Sequence, residues 1–204
     1  MGLIQKLTEK PWLEQGVDAD PRDPDAPAYI TGKVGLWVFL GTITSLFSLF
    51  LSANFVRMGY ADWRPLSEHD LLWFNTALLV VSSLAMQWAV SAAKRGQLSG
   101  VRNGLALGGI FAFAFLAGQL MVWRDLVDQG HYITSNPANG FFYLLTALHG
   151  VHLSGGLIAW ARTFARAWRD YDFFDVRLSV ELCAFYWHYL LGVWIVLFAV
   201  LLIT

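Results

Sequence analysis

His149 and His152 stand three residues apart in Leu144–Trp160, a run otherwise made of apolar and small residues. Glu181 and His188 stand seven apart in a second such run near the C-terminus. Imidazoles and carboxylates can ligate a metal, relay protons or hold helices together, and inside an apolar run each must have a reason to be there. On a helix, residues three apart lie on one face a turn apart, and residues seven apart share a face two turns apart. Gly150, Gly155 and Gly156 flank the histidine pair. Small residues admit a close neighbouring helix, so the pair is expected to face protein. Three uses stay open. One haem could take His149 or His152 together with His188, although this spacing cannot serve two haems. A proton or ion relay would have only Glu181 as an embedded carboxylate. The third use is structural, with hydrogen bonds between helices and contacts to headgroups or to a neighbouring subunit. Gln87 and Gln119 are milder polar interruptions of the same kind.

The elements that carry these residues follow from composition. The 204 residues are 56% hydrophobic and 14% charged, against roughly 25% charged in a soluble domain. The charges cluster between long apolar runs, and no basic stripe points to nucleic acid. One cysteine, Cys183, excludes an internal disulfide and any CxxC motif. It reads as a small buried hydrophobe. The N-terminus, MGLIQKLTEKPWLEQ, lacks the apolar core of a signal peptide, and Lys6 stands where myristoylation wants Ser or Thr. Residues 1–32 read as a polar, flexible tail and 33–204 as a membrane domain.

Crossing about 30 Å of hydrocarbon takes about 20 mainly apolar residues. Five segments meet that length, at about 34–56, 71–93, 104–123, 141–160 and 180–203. Lipid satisfies no stray backbone group, so each is predicted to be a helix, giving an all-α bundle of five transmembrane helices. Ser67-Glu68-His69-Asp70 is a capping box before the second span, and Ser135 to Gly140 a turn before the fourth. Lys and Arg set the direction. Arg57, Arg64 and Arg124 fall on one side, and the other eleven of the fourteen on the side of the N-terminus. The positive-inside rule therefore predicts a cytoplasmic N-terminus and an outside C-terminus. Trp37, Trp73, Trp123 and Trp160 fall near span ends, as an interfacial belt would have them. Arg162, Arg166 and Arg169 share a face if the fourth helix runs on past the membrane, facing anionic headgroups or a cytoplasmic partner.

Two stretches resemble subunit III of the haem–copper respiratory oxidases, the family of cytochrome c oxidase and the related quinol oxidases. The first is Gly140-Phe-Phe-Tyr-Leu-Leu-Thr-Ala-Leu-His149-Gly150-Val-His152. The second is Glu181-Leu-Cys-Ala-Phe-Tyr186-Trp187-His188-Tyr189, continuing to Trp194. Lys33-Val-Gly-Leu-Trp-Val-Phe, Ser82-Ser83 and Gln119 followed by Trp123 add weaker support. The likeness runs from about Lys33 to the C-terminus and implies the five-helix form.

The resemblance implies a respiratory, electron-transport role without a catalytic centre on this chain. Haem and copper are expected on the partner catalytic subunit I, against which this chain would pack beside other oxidase subunits. No metal or cofactor other than bound phospholipid is expected here, and the membrane would be a bacterial-type inner membrane. On this reading His149, His152, Glu181, Trp187 and His188 are lipid-binding or helix-interface residues, with Arg162, Arg166 and Arg169 facing headgroups. The family is thought to protect subunit I during turnover, support proton uptake and line a route for oxygen. Ile43, Val122 and Leu191 stand where family members usually carry acids, so no proton role through those three carboxylates is carried over. An accessory protein of nitric oxide reductase, a free-standing bis-His b-type cytochrome and a small transporter remain as other readings.

Overall fold

The computed structural model describes residues 27–63, 70–169 and 173–203. Among these the regular elements are five helices: α1 (Pro27–Met58), α2 (Asp70–Lys94), α3 (Leu98–Asp128), α4 (Pro137–Trp168) and α5 (Phe173–Ile203). Each is long and apolar enough to cross a membrane. Residues 67–69 of the expected capping box, and the tail up to residue 26, lie outside the described residues.

The helices do not pack as equals. Helix α2 packs on α3, α3 on α4, α4 on α5 and α5 back on α2, so four helices close a ring. Helix α1 stands outside it, touching only α4 and α5, and is the least buried of the five. It is fastened at Leu40, Ile43 and Phe47, which are buried. The Tyr189 hydroxyl adds a donation to the Leu40 carbonyl at 3.2 Å and lies 2.7 Å from the Thr44 hydroxyl. Arg57 in the last turn of α1 pairs with Asp62 just beyond it. That guanidinium holds the Asp62 carboxyl below the usual carboxylate range.

The observed helices overrun the predicted spans, for physical reasons local to each end. Arg102 falls between the predicted spans 71–93 and 104–123 and lies in the first turns of α3. Its Nε donates to the Ala167 carbonyl at 2.8 Å and its guanidinium lies 4.9 Å from the Trp168 ring centre. An arginine beside the open carbonyls at a helix C-terminus satisfies one of them, and the helix dipole favours it there. At α4 the turn-rich stretch is itself the helix start. The Asn136 side chain accepts from the Ala138 N–H at 3.2 Å, and Pro137 takes the first helical position.

Helices α2 and α3 end alike. Gly96 and Gly130 have φ of +74° and +83°, the left-handed conformation that lets the chain turn back over the last carbonyls. The Gln97 N–H then reaches Ala92 O at 3.0 Å, and the His131 N–H reaches Leu126 O at 2.9 Å.

The closest approach in the ring is between α2 and α3. A Cβ on Gly104 would lie 2.8 Å from the Ala89 backbone nitrogen and 2.9 Å from its Cα. Backbone cannot swing aside as a side-chain tip can. Gly104→Leu is therefore expected to destabilise the bundle by about 1–3 kcal/mol, as overpacking does. Gly41→Ala, whose Cβ would meet nothing within 4 Å, should be neutral. Thermal unfolding followed by helical circular dichroism in detergent compares them, and equal midpoints would refute the close-approach argument.

Candidate functional site

The sequence put four ionisable residues on two helices; the fold sends them in different directions. His149 is fully buried inside the four-helix ring. Its imidazole packs 5.9 Å from the Phe115 ring on α3 and 5.1 Å from the Trp194 ring on α5. Neither ring nitrogen has a hydrogen-bond partner among the described residues. His152 turns toward α1, 5.6 Å from the Phe47 ring, and its Nδ1 bonds the Leu148 carbonyl of its own helix at 2.8 Å. Its backbone carbonyl accepts from the Tyr186 hydroxyl at 3.0 Å. The cross-helix link at this turn is thus made by a tyrosine and a backbone oxygen.

His188 stands on the outer face of α5, exposed, and bonds across to α2 with both ring nitrogens. Nδ1 lies 2.5 Å from the Ser83 hydroxyl and Nε2 lies 3.0 Å from Gln87 Oε1. Glu181 accepts from Arg177 Nε at 3.1 Å one turn earlier on α5, so the carboxylate is paired within its own helix. Arg177 lies ahead of the fifth apolar run, in what its charge alone marks as a connection. The i, i+4 spacing was the signal that it reaches Glu181.

Trp187 is the hinge of the ring. Its Nε1 donates to the Ser82 hydroxyl at 2.9 Å, and that hydroxyl donates to the Gly108 carbonyl at 2.6 Å. One chain of donors thus links α5, α2 and α3. Trp194 repeats the device, donating to the Thr76 hydroxyl at 3.0 Å. Trp123 and Trp160, read as belt residues, do the same: one donates to Thr146 at 3.2 Å, the other to the Leu105 carbonyl at 2.9 Å. Trp37 and Trp73 are exposed. Type and position near a span end do not separate a tryptophan that faces the membrane from one that bonds a neighbouring helix. Ile43 and Val122, where the resemblance leads one to expect acids, are buried in the apolar core, and Leu191 is half-buried against it.

A cleft of about 670 Å³ opens between α1, α4 and α5. Leu36, Phe39, Gly155 and Tyr186 line its apolar length, and Arg162 and Arg166 stand along it. Arg166 donates to the Ser179 hydroxyl at 2.8 Å. Arg169 caps the C-terminal end of α4 and is not among the lining residues. The arrangement fits an amphiphile with apolar tails along the helices and an anionic head between two guanidinium groups. Among the described residues, no three His, Cys, Asp or Glu side chains converge as metal donors.

A ring of four long apolar helices with a fifth laid on its side defines the class as a polytopic membrane protein. Part of its polar interior makes cross-helix bonds, and His149, Asn75 and Gln119 are buried without a hydrogen-bond partner among the described residues. The family model for cytochrome c oxidase subunit III matches residues 31–203, and the chain belongs to that family, whose members are subunits of a multisubunit oxidase. Similar proteins include the probable cytochrome c oxidase subunit 3 of Mycobacterium tuberculosis (strain ATCC 25618 / H37Rv), 34% identical over 177 residues, covering 83% of this chain and 86% of that one. The Nocardia farcinica protein of the same description is 35% identical, covering 82% and 85%. The cytochrome c oxidase subunit 3 of Bacillus sp. (strain PS3) is 26% identical, covering 88% and 90%.

The Trp187–Ser82–Gly108 chain generates a stability prediction. Ser82→Ala strands the buried Trp187 indole N–H, which costs about 1–3 kcal/mol, while the Gly108 carbonyl keeps its intrahelical partner. Ser154→Ala, where the hydroxyl is exposed and bonds only Gly150 of its own turn, should stay within about 0.5 kcal/mol of the parent. Unfolding midpoints in one detergent decide it, and equal values would remove Ser82 from the account.

Proposed function

We propose that this chain is a non-redox accessory subunit of a proton-translocating haem–copper terminal oxidase. It packs on catalytic subunit I and holds phospholipid in the α1/α4/α5 cleft. Haem and copper reside on the partner. The chain lies in a bacterial-type inner membrane with its N-terminus in the cytoplasm, which places Arg162, Arg166 and Arg169 beside the cytoplasmic headgroups. The names of the relatives favour cytochrome c over quinol as electron donor to the complex.

The observation that carries this reading is the divergence of the three membrane-embedded imidazoles. His149 is enclosed by Phe115 and Trp194, His152 faces Phe47, and His188 is engaged by Ser83 and Gln87. A bis-His haem needs two imidazoles facing one plane from opposite sides; here the groups are spread over the core and two outer faces. The cleft supports the remainder of the reading. Acyl chains seated in it would keep an apolar path for oxygen, which partitions into hydrocarbon. Headgroups held by Arg162 and Arg166 would order the surface beside the partner, supporting proton uptake there and the lifetime of subunit I during turnover.

Purification through a tag on this chain in mild detergent tests the assignment. Recovery of a large haem–copper polypeptide, with its reduced-minus-oxidised haem spectrum, is the expected result. Recovery of this chain alone with a b-type spectrum would overturn it. The cleft makes a separate prediction. Arg162→Gln combined with Arg166→Gln should lower phospholipid phosphorus per complex by about one molecule. It should also shorten catalytic lifetime more than it lowers the initial rate, since a guanidinium–phosphate contact is a strong charge-assisted one. Unchanged phosphorus content would remove the cleft as a lipid site.

A further inference from the structure

Between α2 and α5, Ser83, Gln87 and His188 form a polar trio; Ser83 is buried, and no helix among the described residues covers Gln87 and His188. His188 and Gln87 are exposed there, and the surrounding surface is apolar, with Leu84, Trp88 and Ile195 between 43% and 64% exposed. The depth is what makes the trio unusual. His188 lies within a turn of the midpoint of the Val176–Ile203 span, and Gln87 lies on α2, whose span is Asp70–Lys94. At 1.5 Å per residue, Gln87 is only about 7 Å from the midpoint of its span. Headgroups lie about 15 Å from the membrane midplane, half the hydrocarbon thickness.

The hydrogen-bond directions close on themselves except at one point. A carbonyl oxygen only accepts, so Nε2–H of His188 donates to Gln87 Oε1. Nδ1 is then the acceptor, and the Ser83 hydroxyl donates to it. Every member is used but the Gln87 amide nitrogen, whose two N–H groups have no acceptor among the described residues. Acyl chains offer no acceptor, and stranding an amide donor in hydrocarbon is costly.

We infer that this α2/α5 face is the docking surface for a transmembrane helix of the haem–copper catalytic subunit, which presents a side-chain oxygen at mid-depth to the Gln87 amide. This rests on the accessory-subunit reading and specifies which face serves it. The partner's acceptor is a hydroxyl, amide or carboxyl oxygen, and the apolar residues around the trio pack against the same helix. An acyl chain is disfavoured by lacking an acceptor, and a headgroup by depth.

The test uses the assembled complex in its native membrane. Leu84 is replaced by a photoreactive benzoylphenylalanine, with Ile110 on α3, 61% exposed, as the control position. Illumination should join Leu84, and not Ile110, to the catalytic polypeptide, identified by mass. In parallel, Gln87→Leu should lower retention of this chain on the complex in mild detergent by about threefold or more, the range for one interhelical hydrogen bond in a membrane. Adducts from Leu84 to lipid alone, or to a second copy of this chain, with the complex still intact would overturn the inference and leave the accessory reading standing. An adduct to the catalytic subunit with retention unchanged in Gln87→Leu would overturn the hydrogen bond. Failure of the unaltered chain to co-purify with any haem–copper polypeptide would instead overturn the reading on which the inference rests.

Discussion

Hydrocarbon accepts no hydrogen bond, and the whole bundle is arranged around that fact. Each buried indole N–H in the ring finds an oxygen on another helix: Trp187 on Ser82, Trp194 on Thr76. The hydroxyls that receive them then pass their own proton to a carbonyl, as Ser82 does to Gly108 and Thr76 to Leu72. These relays set the relative rotation of the helices, because an indole can donate in only one direction. Packing follows from the same rotation. With Trp187 turned to Ser82, α2 and α3 come together where Gly104 faces the Ala89 backbone.

The consequence for chemistry is that many polar residues inside the membrane are occupied by other helices, while His149, Asn75 and Gln119 are buried with no hydrogen-bond partner among the described residues. His188 holds α5 to α2 with both nitrogens, and Tyr186 and Tyr189 hold α4 and α1 to α5 through carbonyls. Ile43 and Val122, where the resemblance leads one to expect acids, are both closed off in the core. What is left to interact outward is the cleft with its two arginines, together with the trio around Gln87. One is suited to an anionic headgroup at the membrane surface, the other to an oxygen at mid-depth. A small apolar subunit can in this way recognise lipid and protein by depth alone.

Helix α1 shows a different balance. It is apolar on nearly every side, with Trp37, Val38, Leu49 and Val56 exposed, and it touches the ring along a narrow strip. Without a water-driven hydrophobic effect between helices in lipid, such a strip holds by van der Waals packing and a few hydrogen bonds. The Tyr189 donation to Leu40 and the Phe47–His152 ring contact supply them. The cleft exists because that strip is narrow: α1 meets α4 and α5 along one line and leaves a gap beside it.

The sequence alone determined the number of helices, their approximate spans and the family. Run length against bilayer thickness and the His-Gly-Val-His and Tyr-Trp-His stretches are one-dimensional signals. It also singled out His149, His152, Glu181 and His188, since an ionisable group in an apolar run is conspicuous without any fold. Helix ends were less legible, because Arg102 belongs inside α3 only by virtue of the Ala167 carbonyl and the Trp168 ring, 65 and 66 positions away in the chain. Which way each polar side chain points was decided by the tertiary structure. Residues three apart on a helix differ by about 60° in direction, enough to send His149 into the ring and His152 toward α1. The same rotation decides that Trp123 bonds a neighbouring helix while Trp73 faces outward, because such partners lie on other helices and no local spacing encodes them.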